Sequence, residues 1–182
     1  NSSSVSANML MADLVGKGRV RGAAFKSETY WLERAAKLSP NSVQRQRNLG
    51  QVCLKLGNVG MAEKAFRKCI AVGEYSVRRT PDAYLGLARV CGLKNEPKEA
   101  LAWLQAAQRE FGGSNGDLHP DIDLRAKITE GLVYHESGDY RRARKAGLAA
   151  LATQLGHITR HLAPAAMHLA VHADQLQQAA TL

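Results

Sequence analysis

The stretch LGQVCLKLGNVGMAEKAF, residues 49–66, decides how this chain folds. It reads as a helix carrying Leu49 and Gly50, a turn at Gly57-Asn58, and a second helix carrying Ala62 and Phe66. Small residues at Gly50 and Ala62 let the two helices approach closely, and a large one at Phe66 fills the wedge toward a neighbouring hairpin. GLVYHESGDYRRARKAGLAA, residues 131–150, puts Gly131, Tyr134, Gly138-Asp139-Tyr140, Ala143 and Ala150 at the same relative places. Residues 85–107 supply Leu85-Gly86, Ala88, Ala100, Leu104 and Ala107, with the turn KNEP where Gly-Asp stands in the other copy. At Gly147 a large residue is expected and none is present, which loosens the third copy.

These copies resemble the tetratricopeptide repeat, whose period is about 34 residues. The fold that follows is all-α: an α-α superhelix of stacked antiparallel helical hairpins. The first-helix glycines at 50, 86 and 131 are unevenly spaced, which points to a small insertion near Asn95 to Pro97 and a longer loop in FGGSNGDLHPD, residues 111–121. Upstream, YWLERAAKLSPNS resembles the second helix of an earlier repeat through Leu32, Ala35 and Pro40, its first helix running from about Ala7 to Gly16. The expected division is a linker at 1–6, then an array over 7–182. The array comprises a partial repeat at about 7–40, repeats at about 42–75, 79–111 and 122–155, and a partial terminal hairpin at about 160–182. Thr80-Pro81-Asp82 and Asp139 carry helix-start chemistry at two of these boundaries. A first residue that is Asn and a last one in mid-pattern suggest a piece of a longer protein.

Three runs, LERAAKLSPNSVQRQRNLG, AEKAFRKCIAVGEYSVRRTPDAYLGLARV and LAPAAMHLAVHADQLQQAATL, further resemble the repeat-containing C-terminal portion of bacterial response regulators with an N-terminal CheY-like receiver. The resemblance implies a receiver aspartate that takes up phosphate and an array that carries the output of two-component signalling by contacting a partner, in the cytoplasm.

Composition narrows the remaining classes. No apolar stretch approaches the roughly 18 residues needed to cross a bilayer, and no secretory start is present. Cys53, Cys69 and Cys91 form no close pair, so neither a disulfide framework nor a CxxC site is available and a reducing compartment fits. His157, His161, His168 and His172 share a helical stripe, but Pro164 interrupts it and no acid or cysteine completes a ligand set. GKGRVRG, residues 16–22, lacks the spacing of a phosphate loop and reads as a turn. No catalytic constellation, cofactor or metal site is expected.

What remains is a surface that holds a protein or peptide. In stacked hairpins the first helices form the concave wall. The expected groove residues are Gln44, Arg47, Asn48, Gln51 and Lys55, then Tyr84 and Leu87 with Thr80 beside them, then Arg125, Thr129, Leu132 and His135 with Ile128. A net charge of +9 and the arginines and lysines of this set suit an acidic ligand, or serve solubility alone. Two alternatives stay open: a free-standing adaptor or chaperone-type repeat protein, and a nucleic-acid binder using the basic run Arg141 to Lys145. The second is disfavoured because that run lies on a second helix, without stacking aromatics. Self-association through the truncated terminal hairpin is a further expectation.

Overall fold

The structure, a computed structural model, describes residues 4–20, 26–76, 79–112 and 121–156. These form helices α1 (Val5–Gly16), α2 (Glu28–Leu38), α3 (Val43–Lys55), α4 (Val59–Gly73), α5 (Asp82–Leu93), α6 (Pro97–Phe111) and α7 (Ile122–Glu136). A further helix, α8, covers residues 140–156. Sequential pairs pack as hairpins, α1 on α2, α3 on α4 and α5 on α6, and the first helices α3, α5 and α7 also touch one another in order. Gly131 faces Ala143 and Ala146, which sets α7 beside α8. The molecule is an all-α helical-repeat solenoid.

Local chemistry explains the helix starts. Ser4, Ser27, Asn58 and Asp139 each accept a backbone N–H from three residues ahead with their side-chain oxygen, satisfying donors that the first turn leaves without partners. Thr80 Oγ1 accepts from Asp82 N at 3.3 Å ahead of α5, and Pro97 opens α6 where a missing N–H costs nothing. Ser4 caps α1 and Val5 begins it, so residues 5 and 6, expected in a linker, belong to the first helix.

Three turns are built alike, and one of them differs from expectation. Asn58 N donates to Cys53 O, Glu96 N to Cys91 O and Asp139 N to Tyr134 O, each at 2.8 Å. Each closure needs a residue at positive φ just before it, supplied by Gly57 at 74°, Asn95 at 61° and Gly138 at 80°. Asn tolerates this region better than other side chains do, so KNEP makes the same turn as GN and GD with nothing inserted. The extra length lies between α4 and α5 and between α6 and α7. The register of the second hairpin shifts accordingly: Ala88, not Gly86, holds the place relative to the turn that Gly50 and Gly131 hold in theirs.

The core is anchored by Phe66, which has no exposed surface. A methyl at Gly50 would lie 2.6 Å from its ring, and one at Gly86 2.5 Å from it, so the ring is clasped between α3 and α5 at positions where only hydrogen fits. Phe66 belongs to a cluster with Leu32, Leu49, Cys53, Ala62, Leu87 and Val90, while Leu85, Ala88, Cys91, Leu104, Phe111 and Val133 form a second. Helix α5 contributes to both and is buried on almost every side, which is why its apolar residues lack a stripe. Ala35 and Ala107, also buried, are the small contacts of α2 and α6. The third hairpin lacks such a wedge. Gly147 stands where Phe66 and Leu104 stand in the others, and among the described residues a hollow of about 570 Å³ opens there, walled by Leu124, Ile128, Leu132, Ala143 and Leu151. The His157 to His172 stripe and the terminal hairpin at about 160–182 lie outside the described residues.

Two predictions follow from the packing. Gly86→Ala should lower stability by about 2 kcal/mol in urea unfolding despite alanine's helix preference, because the ring cannot retreat. Combining it with Phe66→Leu should cost less than the sum of the two changes, and a Gly86→Ala protein more stable than its parent would show that the clasp is not tight. The second concerns pH. Hydrogen bonds from Lys94 and then Arg67 hold the Glu63 carboxyl below its usual value of 4.5. A depressed carboxyl stabilises the fold above that value and loses its contribution as pH falls through the folded pKa. The gap in melting temperature between the protein and Glu63→Gln should therefore be complete at neutral pH and close below 4.5, whereas a gap constant down to about pH 3 would mean that this carboxyl does not carry it.

Candidate functional site

Helices α3, α5 and α7 line up their exposed faces into one wall, and an ion-pair ladder crosses it. Arg47 on α3 donates through Nη1 to Asp82 Oδ2 at 3.1 Å, and Arg125 on α7 donates through Nη2 to Asp82 Oδ1. One carboxylate on α5 thus ties three hairpins. A second rung joins Arg89 on α5 to Glu136 on α7 at 2.9 Å. Gly92 lets Glu136 pass, since a methyl there would lie 2.9 Å from its Oε2 and 3.1 Å from Val133 Cα. Asp82 and Glu136 are the buried members, with side chains 16% and 15% exposed, while Arg47, Arg89 and Arg125 are 29–38% exposed. Arg125 Nε also lies 3.9 Å from Asp121 Oδ2, so the three partly exposed guanidiniums of the wall are each matched by a carboxylate.

Between the rungs is a cleft of about 260 Å³ lined by Gln51, Leu54, Leu85, Gly86, Ile128 and Thr129, with the Phe66 ring behind Gly86 and Asp82, Arg89 and Arg125 at its rim. Thr129 is buried and its hydroxyl donates to Arg125 O at 2.8 Å, which fixes the α7 backbone under that arginine. Beyond Arg47, toward the starts of α3 and α5, a polar hollow of about 470 Å³ is bounded by Ser42, Gln44, Ser76, Arg79 and Thr80.

The residues expected in the groove are distributed as follows. Gln51, Arg125, Thr129 and Ile128 meet around the cleft, while Arg47 lines the polar hollow, pairs with Asp82 and is steadied by Asn48, which accepts from its Nη2 at 3.2 Å. Gln44 and Thr80 line the polar hollow, and Lys55 is exposed at the far end of α3. Leu132 and His135 line the apolar hollow between α7 and α8, where the His135 ring meets Tyr140 edge-on at 5.5 Å. Two expectations are corrected. Leu87 has no exposed surface and belongs to the core around Phe66. Tyr84 points to the opposite side of α5, its ring edge-on to Trp103 at 6.1 Å and to Phe111 at 5.6 Å. Both follow from the two-residue register shift. The positions it moves into the wall are Asp82, Leu85 and Arg89, with Glu136 behind them. Counting back from the turn residue Asn95, rather than matching Leu85-Gly86 to Leu49-Gly50, is the signal that would have found them.

Residues 48–72 match the tetratricopeptide repeat. The match covers most of α3 and α4, the hairpin whose glycine and phenylalanine clasp is described above. No curated protein matches the chain. Tetratricopeptide hairpins mark a protein–protein interaction module, and the ion-paired wall continues from this hairpin across α5 and α7. Among the described residues no helix is long and apolar enough to cross a membrane.

The other reactive groups are occupied in packing. Cys69 donates its thiol to Val43 O at 3.3 Å, and burial pushes it up to about 11. Burial and then Glu33 raise Cys53. Cys91 is also pushed up to about 11, by burial first and then by Glu99 and Glu96, whose ligand atoms lie within 4.8 Å of it and of one another. A thiol so placed keeps its proton at neutral pH and is a poor nucleophile, and Glu99 also pairs with Arg67.

Asp82 is the testable centre of the ladder. Asp82→Asn keeps the shape but leaves two guanidiniums facing each other without their counter-charge, and should cost about 2 kcal/mol in urea unfolding. A double-mutant cycle with Arg125→Gln should show clear coupling, and an Asp82→Asn protein that unfolds like its parent would show that the ladder does not join the repeats.

Proposed function

We propose that this chain holds an acidic protein or peptide segment along the α3–α5–α7 wall, as the output portion of a bacterial two-component response regulator acting in the cytoplasm. The observation that carries the binding reading is the ladder itself. Three partly exposed guanidiniums are kept in place by the carboxylates they pair with, so a ligand carboxylate meets donors already ordered and loses less entropy in binding. Exposed Gln51 and Lys55 extend the polar rim along α3. The signalling context rests on the resemblance of the LSPNSVQRQ and SVRRTPDAYLGLARV runs to response-regulator repeat portions. In that arrangement a receiver aspartate accepts phosphate and the repeat array conveys the change by gaining or releasing its partner.

The test uses two exposed positions outside the ladder. Gln51→Glu combined with Lys55→Glu should weaken partner binding at least about tenfold in calorimetry while leaving the melting temperature unchanged. Arg141→Glu combined with Lys145→Glu, on α8 away from the wall, should leave binding unaffected. The opposite pattern, with loss only in the α8 variant and a steep dependence on salt, would replace the peptide reading with a nucleic-acid one. For the signalling context, the sequence of the parent gene upstream of Asn1 decides: a receiver domain there supports it, and its absence removes it.

A further inference from the structure

We infer that the hollow between α7 and α8 is covered by this chain's own residues 163–176. Leu169 sits over Gly147, in a contact whose large and small members are exchanged relative to Phe66 and Gly86. The inference is independent of the proposed binding wall and concerns the open side of the third hairpin.

Each earlier hairpin has its second helix covered by the next first helix, α4 by α5 and α6 by α7. Phe66 and Leu104 are buried as a result. Helix α8 has no such cover among the described residues. Ile128, Leu132, Tyr140 and Leu151 are 39–67% exposed around a hollow of about 570 Å³, and a methyl added at Gly147 meets nothing within 4 Å. Such a face costs free energy for as long as water covers it.

The chain has the length to cover this face itself. Helix α8 over residues 140–156 is about 25 Å long, and a helix returning along it uses about 17 residues, fewer than stand at 157–182. The step from second helix to next first helix, as taken after α4 and α6, brings those residues onto α7 and α8 where the hollow opens. A second copy would have to outcompete a segment tethered beside the hollow, whose effective concentration is far higher.

Proline sets the register. Pro81 stands at the start of α5, and Gly86, five residues on, faces the Phe66 ring. Pro164 stands five residues before Leu169. Leu169 thus takes the position of Gly86, while Gly147 takes that of Phe66, nine residues after the turn glycine at positive φ in both hairpins. A leucine against a phenylalanine here would clash, and a glycine against a glycine would leave a void. A leucine against a glycine does neither. Ala166, Ala170 and Ala173 fall on the helical face of Leu169, small enough for close approach, and residues 157–182 contain no glycine that could repeat the part of Gly86.

Thermal melting of the full chain tests the inference. Gly147→Phe should lower the melting temperature by about 5 °C or more, because the ring drives Leu169 out. In an uncovered hollow the same change would raise it, since the ring would lie against Leu124, Ile128 and Leu151 and a helical glycine would be gone. Gly147→Phe combined with Leu169→Gly restores the order of Phe66 and Gly86 and should melt above Gly147→Phe alone, even though glycine weakens a helix. Leu169→Ala, a milder change, should lower the melting temperature by about 3 °C or more. A Gly147→Phe protein that melts above its parent, a double variant no more stable than Gly147→Phe, or a Leu169→Ala protein that melts like its parent would overturn the inference. So would a dimer in sedimentation whose melting temperature rises with protein concentration, which would put a second copy on this face.

Discussion

Everything in this fold depends on how near α3 and α5 can come to the Phe66 ring. Gly50 and Gly86 remove the only side-chain atoms that would hold them apart, and the ring then fills the space completely. That contact sets the distance between successive first helices, and the distance sets what can reach across. Asp82 can touch Arg47 on one side and Arg125 on the other because the helices carrying them are close neighbours. A larger residue at either glycine would open the wall and pull the ladder apart, so the apolar clasp inside and the ionic ladder outside are two sides of one geometry.

Much of the architecture was legible in the sequence, for a physical reason. Gly50, Gly57, Ala62 and Phe66 are residues whose size or backbone freedom is demanded by a contact, so their pattern survives as text. The all-α repeat fold follows from them. The register of α5 was not legible by the same route. Leu85-Gly86 imitates Leu49-Gly50 in letters, while the turn that fixes the register uses Asn95, which reaches positive φ without being glycine. Gly86 is small because Phe66 of the preceding hairpin lies against it, and Gly50 is small because Phe66 of its own hairpin does. The same residue type answers to one ring from two different helices.

The wall shows a second limit. Arg47, Gln51 and Arg125 could be named from their place in the repeat, but their pairing could not, because it depends on the rotation of α5 between its neighbours. A two-residue error on a helix turns a position by more than half a circle. It exchanged Tyr84 and Leu87 for Asp82, Leu85 and Arg89, and so replaced a neutral stretch of wall by its most charged one. What looked like scattered cations became a ladder with its carboxylates at the back.

Helix α5 supplies side chains to both apolar clusters and to both rungs of the ladder. Stacked repeats are in principle separable, each hairpin opening with a cost set by its nearest neighbours. A helix shared in this way removes that freedom across the middle of the chain. To release α5 is to expose Phe66 on one side and Leu104 with Phe111 on the other, and the ladder goes with them. Opening is therefore all-or-none from α3 to α7, and the gradual fraying that repeat arrays permit is confined to their ends.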